Sequence, residues 1–354
     1  SSTGATPMTR KLSRRLASTL MFSLPFAALG MQRAMGQNKD ILITNGWLPA
    51  GPDSPFTLAM DRGYFQENGL NVTIERGAGS ADALSKLAAG RYAFSKGDMY
   101  SMMEFNEKNP EVPLIAVVIE SNRHPGGIFT LKKNGITDPK QLSGVKIGAP
   151  AGDGARRLWP VLANIIGVDP DSVEWVNCEP ALREPLLARG EVQAISGFGP
   201  SVVPSLQKLG ISEDELEVFY FNDYGLNLYG PIVMSRLQYV RENPDIARGF
   251  VAGYVKGLVE TIRDPEAAFA TLPKHFEGAD ALDPETELTR LKYTIANYWD
   301  TPDTRANGVS AVDLERLQTS LAQVAEGYGL ENVPDASEIL TTEFLPPKEA
   351  RMFA

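Results

Sequence analysis

From residue 41 onward the chain alternates two hydrophobic patterns. Short runs dense in β-branched and aromatic residues recur at 41–45, 71–75, 92–95, 114–119, 128–132, 145–149, 173–177, 192–196, 217–222 and 232–235. Between them, apolar residues return every three or four positions, the period of a helix with one buried face. Ala81, Leu84, Leu87 and Ala88 make one such face; Ile246, Phe250, Val251, Tyr254, Leu258 and Ile262 make a longer one; Leu314, Leu317, Leu321 and Val324 make a third. The punctuation agrees. Ser54-Pro55 predicts an N-cap followed by proline at the first helical position, and Gly63 a stop. Ser80 predicts a cap and Gly90 an end, Asn243-Pro244 starts the longest helix, and Ser310 with Asp313 has the spacing of a capping box. Strands alternating with helices predict α/β lobes built on largely parallel sheets.

Two stretches have the look of crossings between lobes. One precedes the strand at 128–132, around Pro125-Gly126-Gly127. The other precedes the strand at 232–235, around Tyr229-Gly230-Pro231. The hundred or so residues between them carry their own strand–helix alternation. A lobe inserted through two extended segments is a hinge geometry. The predicted division is therefore a first lobe at 37–127, a second lobe at 128–231, and a return to the first lobe with C-terminal helices over 232–354.

The N-terminus has a different pattern. Arg10, Lys11, Arg14 and Arg15 precede an apolar run at 16–29, and Ala34-Met35-Gly36 follows. Basic, apolar and then small-x-small is the layout of a cleavable signal peptide over 1–36, and the run is shorter than the about 20 residues a membrane anchor needs. Ser13-Arg14-Arg15 leaves Sec and twin-arginine export both open. Removal of 1–36 takes five of the 34 basic residues and none of the 44 acidic ones, moving the net charge from −10 to −15. An acidic, exported, periplasmic monomer is expected. Nucleic acid is not expected as a partner, because its binding depends on clustered Lys and Arg. The single cysteine, Cys178, excludes an internal disulfide and a Cys-based metal site.

Catalytic chemistry finds little support. His124 and His275 fall in loop-like surroundings where exposure is expected, and no zinc-protease, nucleophile-elbow or phosphate-loop motif is present. No catalytic residue, metal or cofactor is predicted. Binding residues are easier to nominate. Gly79-Ser80 and Asp153-Gly154 lie in glycine turns that follow strands and open helices, where open sheets place their ligands and where free N–H groups attract acceptors. Trp47 follows the first strand as a stacking wall. Asp98 follows the third, Phe198 the strand at 192–196, and Tyr224 and Asn227 lie near the returning crossover.

Several stretches carry a family likeness. They are Trp47-Leu48-Pro49, Arg62-Gly63-Tyr64-Phe65, Glu67-Asn68-Gly69-Leu70, Leu87-Ala88-Ala89-Gly90, Leu142-Ser143-Gly144-Val145 and Leu187-Ala188-Arg189-Gly190. In this order they resemble the ABC-importer solute-binding proteins of the sulfonate, taurine and nitrate class, a superfamily that also holds thiamine-pyrimidine synthase. The resemblance implies a type II periplasmic-binding-protein fold, two lobes joined by two hinge crossovers. It also implies a small-molecule ligand between the lobes, and an ABC permease with its ATPase as partners. A synthase-like enzyme and a ligand sensor for a membrane receptor are the alternatives. The sequence departs from the pyrimidine-binding pattern. Ala50 and Asp53 stand where Asn and His are usual, and Gly197-Phe198-Gly199-Pro200 stands where a glutamate is usual. Asp53 disfavours a bare anion, while Gly79, Ser80 and Arg156 suit an acidic group; a heterocycle or an acid with a donor fits both ends.

Overall fold

The computed structural model describes residues 36–354, so the predicted signal peptide lies outside the described residues. Ten strands form, each within two residues of its predicted ends: β1 Lys39–Thr44, β2 Leu70–Glu75, β3 Phe94–Gly97, β4 Leu114–Ile119, β5 Gly126–Leu131, β6 Lys146–Ala149, β7 Glu174–Asn177, β8 Ala194–Phe198, β9 Leu216–Tyr220 and β10 Ile232–Arg236. They make two five-stranded sheets, ordered β2-β1-β3-β10-β4 and β7-β6-β8-β5-β9.

Four of the five strands in each sheet run the same way, as expected of largely parallel sheets, and one strand is reversed. β1, β2 and β3 run parallel, as do β6, β7 and β8. β10 is antiparallel to both β3 and β4, and β5 to both β8 and β9. The crossings explain this. β4 and β9 run into the hinge, while β5 and β10 start there and run away, so each returning strand opposes its neighbours. The two crossings, 120–125 and 221–231, are hydrogen-bonded to each other: Glu120 N–H donates to Pro231 O (2.8 Å), Gly230 N–H to Ser121 O (2.9 Å) and His124 N–H to Leu228 O (3.1 Å).

The first sheet is buried under helices Ser54–Asp61 and Pro244–Arg263, where Phe94 stacks on Phe250 with ring centres 4.1 Å apart. The helix Leu314–Tyr328 touches both lobes: Ser320 Oγ accepts from Tyr100 Oη (2.9 Å) on the helix Met99–Lys108, which follows β3. Its apolar stripe of Leu317, Leu321 and Val324 shares a core with Leu158, Val161 and Leu162 of the helix Gly154–Ile166, which follows β6 of the second sheet. The predicted cap at Ser310 moves. Asp313 caps this helix through the N–H groups of Glu315 and Arg316, whereas Ser310 takes a left-handed φ of 63° and accepts from Ile119 N–H at 2.9 Å. Among the described residues no helix is long and apolar enough to cross a membrane.

Candidate functional site

The parallel strands of both sheets end facing one cleft. The two glycine turns meet across it. Gly79 has φ 125°, a conformation that a side chain would strain, and Gly152 lies so close to Ala81 that an added Cβ would sit 2.9 Å from its methyl. The gap is closed by a backbone hydrogen bond from Ala81 N–H to Gly152 O (3.3 Å). The lobes are therefore in contact at these turns. A cavity of about 130 Å³ lies between them. It is close to the ~150 Å³ that holds one benzene ring.

Of the nominated residues, Trp47, Asp53, Gly79 and Ser80 line this cavity from the first lobe, and Asp153, Gly154 and Phe198 from the second. Four do not. Asp98 lies beneath the cleft, where it accepts from Ser101 N–H (2.7 Å) as a helix cap and pairs with His124 (2.7 Å). Arg156 turns outward, its guanidinium 4.7 Å from the Trp175 ring and its N–H donating to Asn177. Tyr224 is half-buried against the core, and Asn227 is exposed.

The residues that sequence reasoning missed are mostly charged. Lys96, next to last in β3, and Glu120, first after β4, form a buried ion pair at 3.1 Å. Asp53 lies beside them, accepting from Asn45 Nδ2 and Ala50 N–H, both at 2.9 Å. Burial lifts its carboxyl from 3.8 to about 6, against the opposing pull of Lys96 and of these hydrogen bonds. Burial also raises Glu120, again against Lys96. From the second lobe, Arg183 is 2% exposed. It donates twice to Glu184 (3.0 and 2.7 Å), approaches Asp153 at 3.6 Å, and covers the Trp47 ring at 5.1 Å. Asp153 also accepts from Ser196 Oγ and from Arg156 N–H, both at 2.8 Å. No spacing motif announces these pairs. The only sequence signal is their place at strand ends or helix starts.

His124 corrects the expectation of an exposed loop histidine: it is fully buried in the first crossing. Its Nδ1 accepts from Gly126 N–H (2.9 Å), which leaves Nε2–H to donate to Asp98. Burial raises the Asp98 carboxyl, but the His124 bond and charge and the Ser101 bond outweigh it, so its pKa is lowered overall. His275 is partly exposed and pairs with Asp61. Among the described residues no cluster of His, Cys, Asp and Glu is arranged to hold a metal.

Two mixed sheets joined by paired crossings around a closed cleft define the periplasmic-binding-protein fold. The solved alkanesulfonate-binding protein SsuA from Xanthomonas axonopodis pv. citri, bound to MOPS, has this fold: it matches with a TM-score of 0.64 at 16% identity, covering 85% of this chain and 98% of that one. Within the fold, the chain belongs to the NMT1/THI5-like family, whose profile matches residues 53–268. Similar curated proteins carry two kinds of name. The 4-amino-5-hydroxymethyl-2-methylpyrimidine phosphate synthase of Schizosaccharomyces pombe is 22% identical over 65% of this chain and 68% of its own length. The formylaminopyrimidine-binding protein of Halalkalibacterium halodurans is 23% identical over 64% of this chain and 67% of its own.

Proposed function

We propose that this protein is the exported substrate-binding component of an ABC importer, taking a small ring-sized solute between its lobes and delivering it to a permease and its ATPase. The observation that carries this reading is the ring-sized cavity at the strand ends of both sheets, between two lobes that share a hydrogen-bonded double crossing. The aromatic surfaces of Trp47 and Phe198 line it from opposite lobes and suit a planar guest. The family also contains proteins named as synthases, and the locked state of His124 argues against that alternative. Both of its ring nitrogens are engaged in structural hydrogen bonds, so it offers the cavity no acid or base.

The test is a thermal-shift screen of refolded, ligand-free protein against sulfonates, aromatic carboxylates, pyrimidines and amidines, with small-angle scattering on any hit. One solute class should raise the melting temperature and contract the particle, and mass spectrometry should recover that solute unchanged. Trp47→Ala should weaken its binding by more than about tenfold with little change in the melting temperature of the free protein. Chemical conversion of the solute, or contraction with none of them, sinks the reading.

A further inference from the structure

The ring-sized cavity is not the only space between the lobes. Beside it lies a groove of about 330 Å³, against about 130 Å³ for the cavity itself. Trp47, Leu48, Ala50, Arg183, Ser201 and Arg290 line both, so the two spaces adjoin along one partition. The centre of that partition is the Trp47 ring of the first lobe, with the Arg183 guanidinium of the second lobe 5.1 Å from its centre. The groove also has walls from both lobes. Leu48, Pro49 and Leu282 come from the first, and Pro180, Pro185 and Leu209 from the second.

The groove surface is mostly carbon, and its charged groups, Lys208 apart, are already committed within the protein. Glu184 receives Arg183 and Glu287 receives Arg290, each at 2.7 Å. Arg290 directs its other donors to Pro200 O, Ser201 O and Ser205 Oγ. Asp283 caps the helix Pro284–Thr294 by accepting from Thr286 N–H at 3.1 Å. Ala50 N–H donates to Asp53 and Leu209 N–H to Leu206 O. Pro49, Pro180 and Pro185 have no N–H at all. Lys208 is exposed, so water serves it. A polar guest would leave water and find few partners here, whereas an apolar guest is stabilised by leaving water. The carbon surface stands open to such a guest: Leu209 is 46% exposed, and Leu182, next to Ala181 of the wall, is 48% exposed.

We propose that the solute is larger than the cavity: a ring seated between Trp47 and Phe198 carries an uncharged, apolar arm that lies in this groove. The inference rests on the solute-capture reading. A cavity of ~150 Å³ holds the six carbons of one benzene ring. In proportion, the groove's 330 Å³ holds about 13 non-hydrogen atoms, and an arm of about four to eight carbons fits it with room to spare. Ring and arm join at the Trp47–Arg183 partition. Each arm carbon that leaves water tightens binding without needing a hydrogen-bond partner.

Benzamide and its N-ethyl, N-butyl and N-hexyl derivatives keep one neutral ring and lengthen one arm. Titration calorimetry of the full mature chain with this series gives the test. Affinity should rise about twofold to fourfold per added methylene. Ala181→Phe fills the groove from an exposed position, and Leu209→Ser removes part of its carbon surface; neither residue lines the ring cavity. In both variants the rise should flatten, while benzamide itself binds within about twofold of the parent. Circular dichroism checks that both fold. A flat or falling series in the parent, or no member bound at its highest soluble concentration, overturns the proposal. A rise that both variants keep also overturns it, because the arm then lies elsewhere; if Ala181→Phe also loses stimulation of the permease's ATPase, the groove belongs to the permease. Solute capture fails separately, when no solute of the wider screen contracts the particle. Contraction without any contribution from the arm leaves capture standing and removes only the arm.

Discussion

Closure of the cleft is held by a contact that a proline creates. In the helix Gly199–Lys208, Pro204 has no N–H, so the carbonyl of Pro200 four residues earlier lacks its helical donor. Arg290 supplies one from the other lobe. It lies on the helix Pro284–Thr294, whose backbone packs against Gly51, and its Nη1 reaches Pro200 O at 2.8 Å and also Ser201 O. Its Nη2 donates to Ser205 Oγ at 2.8 Å. Replacing Arg290 alone would strand the buried carboxylate of Glu287, so the informative perturbation is Glu287→Gln with Arg290→Met. These three bonds form when the lobes meet and are exchanged for water when they part. At about 1 kcal/mol net each they contribute about 3 kcal/mol to closure, or about 100-fold in Kd. Calorimetry with the tightest solute of the panel measures it, and scattering reports whether the bound form still contracts. Arg290 also lines the cavity, so Pro204→Ala serves as a control at a residue that does not. That change returns an intrahelical donor to Pro200 O and should weaken binding by about threefold to tenfold, while leaving the free protein as stable or more so, since proline is costly in a helix interior. A double variant that binds within about twofold of the parent refutes the latch.

Two further outcomes follow from the buried ion pairs. The Asp53 carboxyl holds its proton more tightly folded than unfolded, so the folded state gains stability as pH falls and loses it as pH rises from about 4 to about 6. The lift from 3.8 to about 6 corresponds to about 3 kcal/mol at neutral pH; urea unfolding of Asp53→Asn should show that slope flattened, and parallel profiles for parent and variant would count against it. His124→Leu leaves Asp98 buried without its imidazole partner, and should lower stability by about 3–5 kcal/mol in the same assay; a loss below about 1 kcal/mol would mean that the pair is not what ties the crossing to the first lobe.

The strands were legible because each carries its own local signal. Leu114–Ile119 is six apolar residues in a row, all buried, too short for a typical helix and rich in β-branched side chains, which together point to a strand covered on both faces. Strand direction had no such signal. Whether β10 runs parallel or antiparallel depends on where the chain re-enters the lobe, a property of the crossing at 221–231 and not of the residues Ile232–Arg236. The helix Leu314–Tyr328 was legible only in part, for a related reason. Its stripe shows that it buries a face, but Leu317 and Val324 do not reveal which lobe supplies the opposite surface.

The site divides along the same line. Glycine turns, a tryptophan after a strand and an acid before a helix are local features, and seven of the eleven nominated residues line the cavity. Its charge depends on pairing across long separations. Arg156 and Arg183 look alike in the sequence, both near the start of a helix in the second lobe. One turns out to lie over Trp175, away from the cleft, and the other covers Trp47 inside it. The difference arises because Glu184 and Asp153 hold Arg183 in the wall, whereas Asn177 draws Arg156 outward. The same pairing turns an apparently cationic site into a balanced one, with Lys96, Arg183 and Arg290 facing Asp53, Glu120 and Asp153. Arg156 leaves the count, Arg183 pairs with its neighbour, and Asp53, where the chain departs from the family pattern, lies in the field of Lys96.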